Sequence, residues 1–383
     1  MAKLSFWALP NDPVEGSRLI QKEISIFTEL TNIEVELIEI PWGKIWEYLI
    51  NSVKGNNKPD VVQIGSSWVS ILSAINYLAD ITDIVNSNEF IFNISPKIRN
   101  RYYAIPWFLD IALLFYKNSK IKDTSIESLD DFLSICKKHK QEVLALGGKK
   151  EHILLQYISS FVWGSGGNYT VNNYIDLTTG KNFEGIKLFF DILNKYGIKD
   201  LLTNKYGDVL WDFFLRDRGI FCFANIWTTR SFIKAHKKES VFTAVNIPCL
   251  NSSNCNFVGG SCLGIVKGTK MFDESKEFIK FLTSNLSQKR YISFIGMIPV
   301  RKETFNKVID NFLFPDAITK AIKNGRTYPP VPFWGSFEEI FVNSIYNIFQ
   351  LIKHNKYTHQ RLKRELNLTN KKINFLIDLW KRK

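Results

Sequence analysis

Hydrophobic and polar positions along residues 1–65 repeat with two alternating periods. Leu4 to Leu9 reads as a short strand, and Ile20, Ile24, Phe27 and Leu30 then recur at helical spacing up to Asn32, a helix stop. Ile33, Val35 and Leu37 begin a second strand. Ile45, Trp46, Leu49, Ile50 and Val53 mark one face of a second helix that stops at Gly55, and Pro59 to Ile64 reads as a third strand, buried on both faces. This β-α-β-α-β order predicts right-handed crossovers and a parallel sheet. In open parallel sheets ligands bind beyond the carboxyl ends of the strands.

That rule places three loops on one rim: Pro10-Asn11-Asp12, Pro41-Trp42-Gly43 and Gly65-Ser66-Ser67-Trp68. A serine at a helix start either caps the helix or offers a donor to a ligand. A tryptophan there is a flat apolar wall or part of interlobe packing. Both readings stand for Ser66, Ser67 and Trp68.

Further along, the apolar run from Tyr103 to Tyr116 is interrupted by Pro106 and by a single acid, Asp110. The proline predicts an edge strand or a crossover between lobes. A lone carboxylate among apolar neighbours needs partners, so Asp110 is either bonded within the fold or placed for a ligand. The middle of the chain predicts helices over Ser128 to His139, Ile153 to Trp163, Phe183 to Tyr196 and Val209 to Asp217. Between them, Phe161-Val-Trp-Gly-Ser-Gly-Gly-Asn168 is a helix end followed by a glycine turn. It is no dinucleotide fingerprint, because Tyr169 stands where the last glycine is needed and no strand precedes it. Short strands follow at Gly219 to Ala224, leading into Asn225-Ile-Trp227, and at Val241 to Ile247. After a Ser/Asn/Cys-rich loop, Phe257 to Val266 reads as a strand whose glycines, Gly260 before Ser261 among them, allow close backbone approach. Past Pro329-Pro-Val-Pro-Phe-Trp334 the chain reads as helical.

Composition narrows the function classes. At 383 residues the chain exceeds what one core holds, so two lobes are expected. Its 23% charged residues and lack of any apolar run near ~20 residues are those of a globular chain that does not span a membrane. The net charge of +13 is spread along the sequence rather than gathered in an arginine-rich arm, which argues against a nucleic-acid partner. The densest basic segment is Lys353 to Lys383. Ile373, Leu376, Ile377 and Trp380 at helical spacing there predict a terminal helix whose basic face is solvated or touches a membrane surface. Cys136, Cys222, Cys249, Cys255 and Cys262 include no Cys-x-x-Cys pair; free thiols are expected, with one bridge among Cys249, Cys255 and Cys262 as the alternative in an oxidising compartment, and neither a metal site nor a cofactor. The chain passes straight into its first strand with no signal-peptide pattern, which predicts an intracellular protein or one whose export signal has been removed.

Ten short stretches, in order, then carry a resemblance. They are Leu4-Ser-Phe-Trp7, Pro59-Asp-Val-Val-Gln63, Tyr77-Leu-Ala-Asp80, Tyr103-Ala-Ile-Pro106, Phe115-Tyr-Lys-Asn118, Gly166-Gly167, the run from Arg218 to Trp227, Phe257-Val-Gly-Gly260, Phe278-Ile-Lys-Phe-Leu282 and Gly296-Met-Ile-Pro-Val-Arg301. Together the chain resembles the extracellular solute-binding proteins of carbohydrate-uptake ABC systems, similar to maltodextrin-binding proteins. The resemblance implies an α/β, two-lobed periplasmic-binding-protein-like fold of type II, closing like a clam shell. Residues 1–108 plus 257–312 would form the first lobe and 109–256 plus 313–383 the second, with hinges near Pro106 to Asp110 and Asn254 to Gly260. It further implies a sugar or oligosaccharide ligand, the transmembrane subunits of an ABC permease as partner, a monomer, and an extracytoplasmic location with any lipid anchor or signal outside this chain. By position it assigns ligand-facing roles to Ser67, Trp68, Asp110, Trp163, Gly166 and Trp227, and to Trp334 in a variable register. Two departures are the strongly basic charge and the missing signal or lipobox cysteine.

The chemistry of a pyranose agrees with that assignment. Its two C–H faces need flat aromatic surfaces, and its rim of hydroxyls needs Asp, Asn, Ser or backbone groups. Trp42, Trp68, Trp163, Trp227 and Trp334, with Asn11, Ser66, Asn225, Gly260 and Ser261, supply that mixture. A glycoside hydrolase would need two carboxyls roughly 5–10 Å apart. Asp110 has no evident partner in the sequence, and no hydrolase, P-loop or zincin motif occurs, so a non-catalytic protein is expected. A sugar sensor not coupled to a permease is the alternative.

Overall fold

The structure, a computed structural model, describes residues 3–11, 15–55, 57–92, 94–95, 97–121, 125–139, 143–146, 152–199, 218–229, 241–250 and 256–382. β1 (Leu4–Ala8), β2 (Val35–Glu39) and β3 (Val61–Gly65) form the expected parallel block in the order β2-β1-β3, joined by α1 (Gly16–Thr31) and α2 (Trp42–Lys54). α1 buries the Ile20, Ile24 and Phe27 stripe and ends where Asn32 turns left-handed, its N–H bonded to the Thr28 carbonyl. β3 runs through a short turn into α3 (Val69–Ala74).

The proline-interrupted run is β4 (Ile105–Lys117), and it is central rather than an edge. Its first half pairs antiparallel with β10 (Val258–Ile265), and Ala112 to Tyr116 pair with β8 (Phe221–Asn225). Pro106 lies opposite Cys262 beside a β-bulge, where the ladder is already interrupted, so a missing N–H is tolerated there. β5 (Leu144–Ala145) extends the sheet from β8, while β9 (Phe242–Val245) and β11 (Ile298–Pro299) pair with β4. β6 (Thr170–Val171) and β7 (Tyr174–Ile175) make a separate hairpin. The predicted central helices are α4 (Leu129–His139), α5 (Ile153–Gly164) and α6 (Gly180–Tyr196). The predicted helix over Val209 to Asp217, Asp12 of the first rim loop and Cys255 lie outside the described residues.

Two apolar cores flank this sheet. The first gathers Leu4, Phe6, Ile24, Phe27, Val61 and Phe278, and the second Phe132, Tyr157, Phe161, Phe189, Phe223 and Phe341. β4 serves both, because alternate strand residues face opposite sides: Leu113 and Phe115 enter the first core, Ala112 and Leu114 the second. The helix Pro315–Asn324 sends Ala317, Ile318 and Ala321 into the first core, whereas the last two helices, Trp334–Lys353 and His359–Lys381, pack in the second. Cys136, Cys222, Cys249 and Cys262 are buried free thiols, and burial pushes the Cys136 thiol up to about 12.

Candidate functional site

The sheet register brings the rim loops and the crossing strand together. Gly65, at the end of β3, pairs with Ser261, which also pairs with Phe108 of β4, and Gly259 pairs with Asp110. Two residues beyond Asp110, β4 changes partner and Ala112 faces Asn225. The candidate site is this crossing, where strands of both cores meet. Gly260 has φ 143°, and a Cβ there would collide with the Phe108 carbonyl, so only glycine lets β10 approach β4 so closely.

Asp110 is the chemical centre of the crossing. Its Oδ2 accepts from Asn225 Nδ2 at 2.6 Å, and the same amide donates to Gln156 Oε1 at 2.7 Å. Among the described residues its Oδ1 is buried without a hydrogen bond. Burial pushes the carboxyl up to about 7, against the opposing pull of Asn225 and the backbone N–H groups of Ile111, Trp227 and Ile226. Those N–H groups favour the carboxylate form. A carboxyl poised near neutral pH with one oxygen unfilled can accept a ligand hydroxyl. Trp227, whose N–H faces this acid, is partly exposed and packs against both cores.

Asn11 and Ser261 are joined in a buried polar network instead. Gln63, in mid-β3, donates to Asn11 Oδ1 at 2.8 Å and to Ser261 Oγ at 2.9 Å, and accepts from the Leu9 N–H at 3.0 Å. Asn11 Nδ2 also donates to the Tyr291 hydroxyl at 3.1 Å. A buried amide must be satisfied, and this network does so within the fold, pinning the chain just past β1 to the middle of β3 and of β10. Gln63 and Tyr291 escaped the sequence reading; a lone glutamine inside an apolar strand was the available signal.

The rim also carries an aromatic ledge. Trp42 is 46% exposed at the start of α2, and Trp46, one turn on, sets its ring 5.3 Å from that of the partly buried Trp68. The (i, i+4) spacing of Trp42 and Trp46 places them on one helix face, a signal in the sequence that a core reading of Trp46 passed over. Ser66 is buried, and Ser67 Oγ donates to Glu338 Oε2 at 3.3 Å. Glu338, on the helix Trp334–Lys353, was not singled out from sequence. It is buried, and burial pushes it up to about 8, opposed by Trp334 and Ser67; His152 Nδ1 stands 3.8 Å from the same oxygen. The bond from Ser67 ties the β3 loop to a helix of the second core.

Trp163 and Trp334 are placed inside the second core. Trp163 is 3% exposed, stacked near Phe257 and covered by Arg326, while Trp334 is 1% exposed between Tyr328, Tyr169 and Phe337. Tyr328 bridges the two, 6.1 Å from Trp163 and 4.7 Å from Trp334. Gly166 is exposed in the turn after α5, with φ 86°. A tryptophan beside a glycine is as well suited to dense packing as to stacking on a ligand: a side chain at Gly164 would strike Cys249.

The family profile described as "Bacterial extracellular solute-binding protein" matches residues 23–328. The chain is 24% identical over 335 residues to the diacetylchitobiose binding protein DasA of Streptomyces coelicolor, covering 82% of this chain and 76% of that protein. Its fold superposes on the sugar-binding protein MalE from the phytopathogen Xanthomonas citri with a TM-score of 0.83, at 17% identity and with both chains fully covered. It also superposes on maltose-bound MalE3 of T. maritima with a TM-score of 0.80, at 18% identity, covering 98% of this chain and 99% of that one. The mixed α/β sheet with its two cores is therefore the two-lobed, type II binding-protein fold. With its parallel opening block, its shared crossing strand and a profile match over most of its length, the chain belongs to the bacterial extracellular solute-binding proteins.

Proposed function

We propose that the protein is a receptor for a sugar or short oligosaccharide on the outer side of the membrane, handing its ligand to the transmembrane subunits of an ABC importer. The observation that carries this reading is the half-satisfied carboxyl of Asp110 at the strand crossing, beside the partly exposed Trp227. A ligand hydroxyl donating to Asp110 Oδ1 fills its missing bond, and the indole of Trp227 covers one C–H face of the ring. The ledge of Trp42, Trp46 and Trp68 offers a second apolar surface on the rim for further sugar units. The family relationship and the sugar named for DasA support the same ligand class.

In this reading residues 1–108 with 257–312 form one lobe and 109–256 with 313–383 the other, and β4 and β10 carry the hinges. Within 313–383 the helix Pro315–Asn324 is the exception: it packs in the first core, so a third crossing follows it. Ligand contacts with both walls shift the lobes to the closed state, where the Ser67 to Glu338 bond holds the β3 loop against the second lobe. In this reading binding leaves the sugar intact, and among the described residues the side chain bonded to Asp110 is the Asn225 amide rather than a second carboxyl. The protein works as a monomer, without cofactor, metal or nucleic acid.

A thermal-shift screen of monosaccharides, maltooligosaccharides and diacetylchitobiose tests this, since a ligand at 100 times its dissociation constant stabilises by about 2.7 kcal/mol. A clear upward shift with at least one sugar, confirmed by calorimetry, is expected. No shift with any sugar, or stabilisation by an amino acid or peptide instead, overturns the ligand class.

A further inference from the structure

The C-terminal helix, His359–Lys381, has two faces of different character. Leu362, Leu366, Thr369, Ile373 and Ile377 recur at steps of three and four and are buried against the second core. Side-chain bonds fasten the same face. Asn374 bonds both the N–H and the carbonyl of Ile175, Asn370 accepts from the Leu177 N–H, and Asp378 accepts from the Tyr174 hydroxyl at 2.7 Å. The helix is thus held rigidly, and its opposite face is presented to the outside.

That outer face is itself amphipathic. Arg364, Leu368, Lys371, Phe375, Leu379 and Arg382 follow one another at the same helical steps and are all exposed. Phe375 is 63% exposed, Leu368 43% and Leu379 42%, which makes an apolar line along the outer face of the helix. The stripe is edged by bases, and the helix carries six, Arg361, Lys363, Arg364, Lys371, Lys372 and Lys381, against two acids, Glu365 and Asp378. Of the two acids, Asp378 lies on the edge of the stripe, three residues from Phe375, where it accepts from the Tyr174 hydroxyl, and Glu365 accepts from Asn347. Beside the stripe, Lys363, Arg364, Asn367 and Lys371 line a shallow groove of about 350 Å³ that shares no residue with the strand crossing.

We propose that this face lies on an anionic lipid surface, with Leu368, Phe375 and Leu379 in the headgroup boundary and the flanking bases on phosphate groups. An amphipathic helix with apolar residues on one line and lysine and arginine on its borders is suited to that interface, because long basic side chains bury their stems while their charges reach the headgroups. Charge decides between this occupant and a second copy of the chain. A symmetric dimer through the stripe would set one basic border against another, whereas an anionic bilayer satisfies both the apolar line and its borders. The proposal does not depend on what the strand crossing binds. Such a contact holds the receptor on the surface in which a permease sits.

The test is cosedimentation of the purified chain with vesicles of phosphatidylcholine alone and of equal parts phosphatidylcholine and phosphatidylglycerol, at low and high salt. Binding is expected only to the anionic vesicles and is expected to weaken with salt. The double substitutions Lys371→Glu with Lys372→Glu, and Phe375→Ser with Leu379→Ser, should each lower the partition about tenfold or more while leaving the thermal midpoint near that of the wild type. The milder pair Lys371→Gln with Lys372→Gln should give an intermediate loss and guards against a fold defect. Failure of the wild type to sediment with anionic vesicles, or equal binding by all variants, overturns the proposal. A concentration-dependent dimer abolished by the Phe375 and Leu379 substitutions, without vesicle binding, assigns the face to self-association instead.

Discussion

Replacing Asp110 with asparagine keeps the shape of the side chain and removes its charge, and two opposite effects should follow. In the free protein the carboxyl is raised from 3.8 to about 7, chiefly by burial. Near 1.36 kcal/mol per unit, that shift sets a ceiling of about 4 kcal/mol on the cost of ionising Asp110 in the folded state. Partial exposure and local relaxation reduce it, and the new amide presents a donor to N–H groups that preferred a carboxylate, so a net gain of about 1 kcal/mol is expected. The sign depends on pH. Below about pH 4 the acid is protonated whether folded or unfolded and the substitution gains nothing; the cost accrues as pH rises toward the folded pKa and is complete above about pH 8. Asp110→Asn should therefore raise the thermal midpoint at about pH 8.5 and leave it nearly unchanged at about pH 4.5, as measured by calorimetry. Ligand affinity should move the other way. Losing a charge-assisted bond worth ~1.5–3 kcal/mol weakens binding by about one to two orders of magnitude in titration calorimetry. Unchanged sugar affinity in the variant, or a lower midpoint at alkaline pH, refutes the reasoning about Asp110.

Three further outcomes follow from the same structure. Burial raises the Asp110 and Glu338 carboxyls to about 7 and about 8, so these two groups take stability away as pH rises from about 4 to about 8, against the opposite contribution of His152 and of Asp80, Asp131, Asp176 and Asp191, whose values are lowered; replacing both acids, by Asn and Gln, should raise the unliganded thermal midpoint more at about pH 8 than at about pH 4, and an equal shift at both contradicts the assignment. Trp227→Ala removes a large, partly exposed aromatic surface and should weaken sugar binding roughly tenfold or more, with the fold retained by circular dichroism; equal affinity would make Trp227 a packing residue only. Gly260→Ala should destabilise by more than about 2 kcal/mol in urea, because φ 143° is closed to alanine and the added Cβ meets the Phe108 carbonyl; a neutral result would mean that β10 can move away from β4 without loss.

The opening β-α-β-α-β block was legible because its information is local. Ile20, Ile24 and Phe27 repeat at 3.6 residues, Asn32 and Gly55 stop the helices, and Val61, Val62 and Ile64 make a strand that is apolar but for Gln63, so backbone geometry and burial demand agree within each short segment. Asp110 was legible for a related reason: a carboxylate in an apolar strand is costly wherever that strand goes. What the sequence could not decide is which strand lies beside which. Proline in the run from Tyr103 to Tyr116 allowed an edge strand or a crossing between lobes, and strand pairing selected the crossing: β4 is central and feeds both cores, with Trp107 as the extra residue of a bulge against β10, where a missing donor is tolerated. The same dependence on distant partners governs the site. Asn11 and Ser261 meet only through Gln63, Ser67 finds Glu338 only when the penultimate helix folds back, and Trp163 and Trp334 are buried because Tyr328 comes between them. A residue's type and its local period determine which element it joins and which side of that element is apolar. Whether its polar atoms are left for a ligand or satisfied within the fold is decided by contacts between segments far apart in the chain, and those exist only once the tertiary structure has formed.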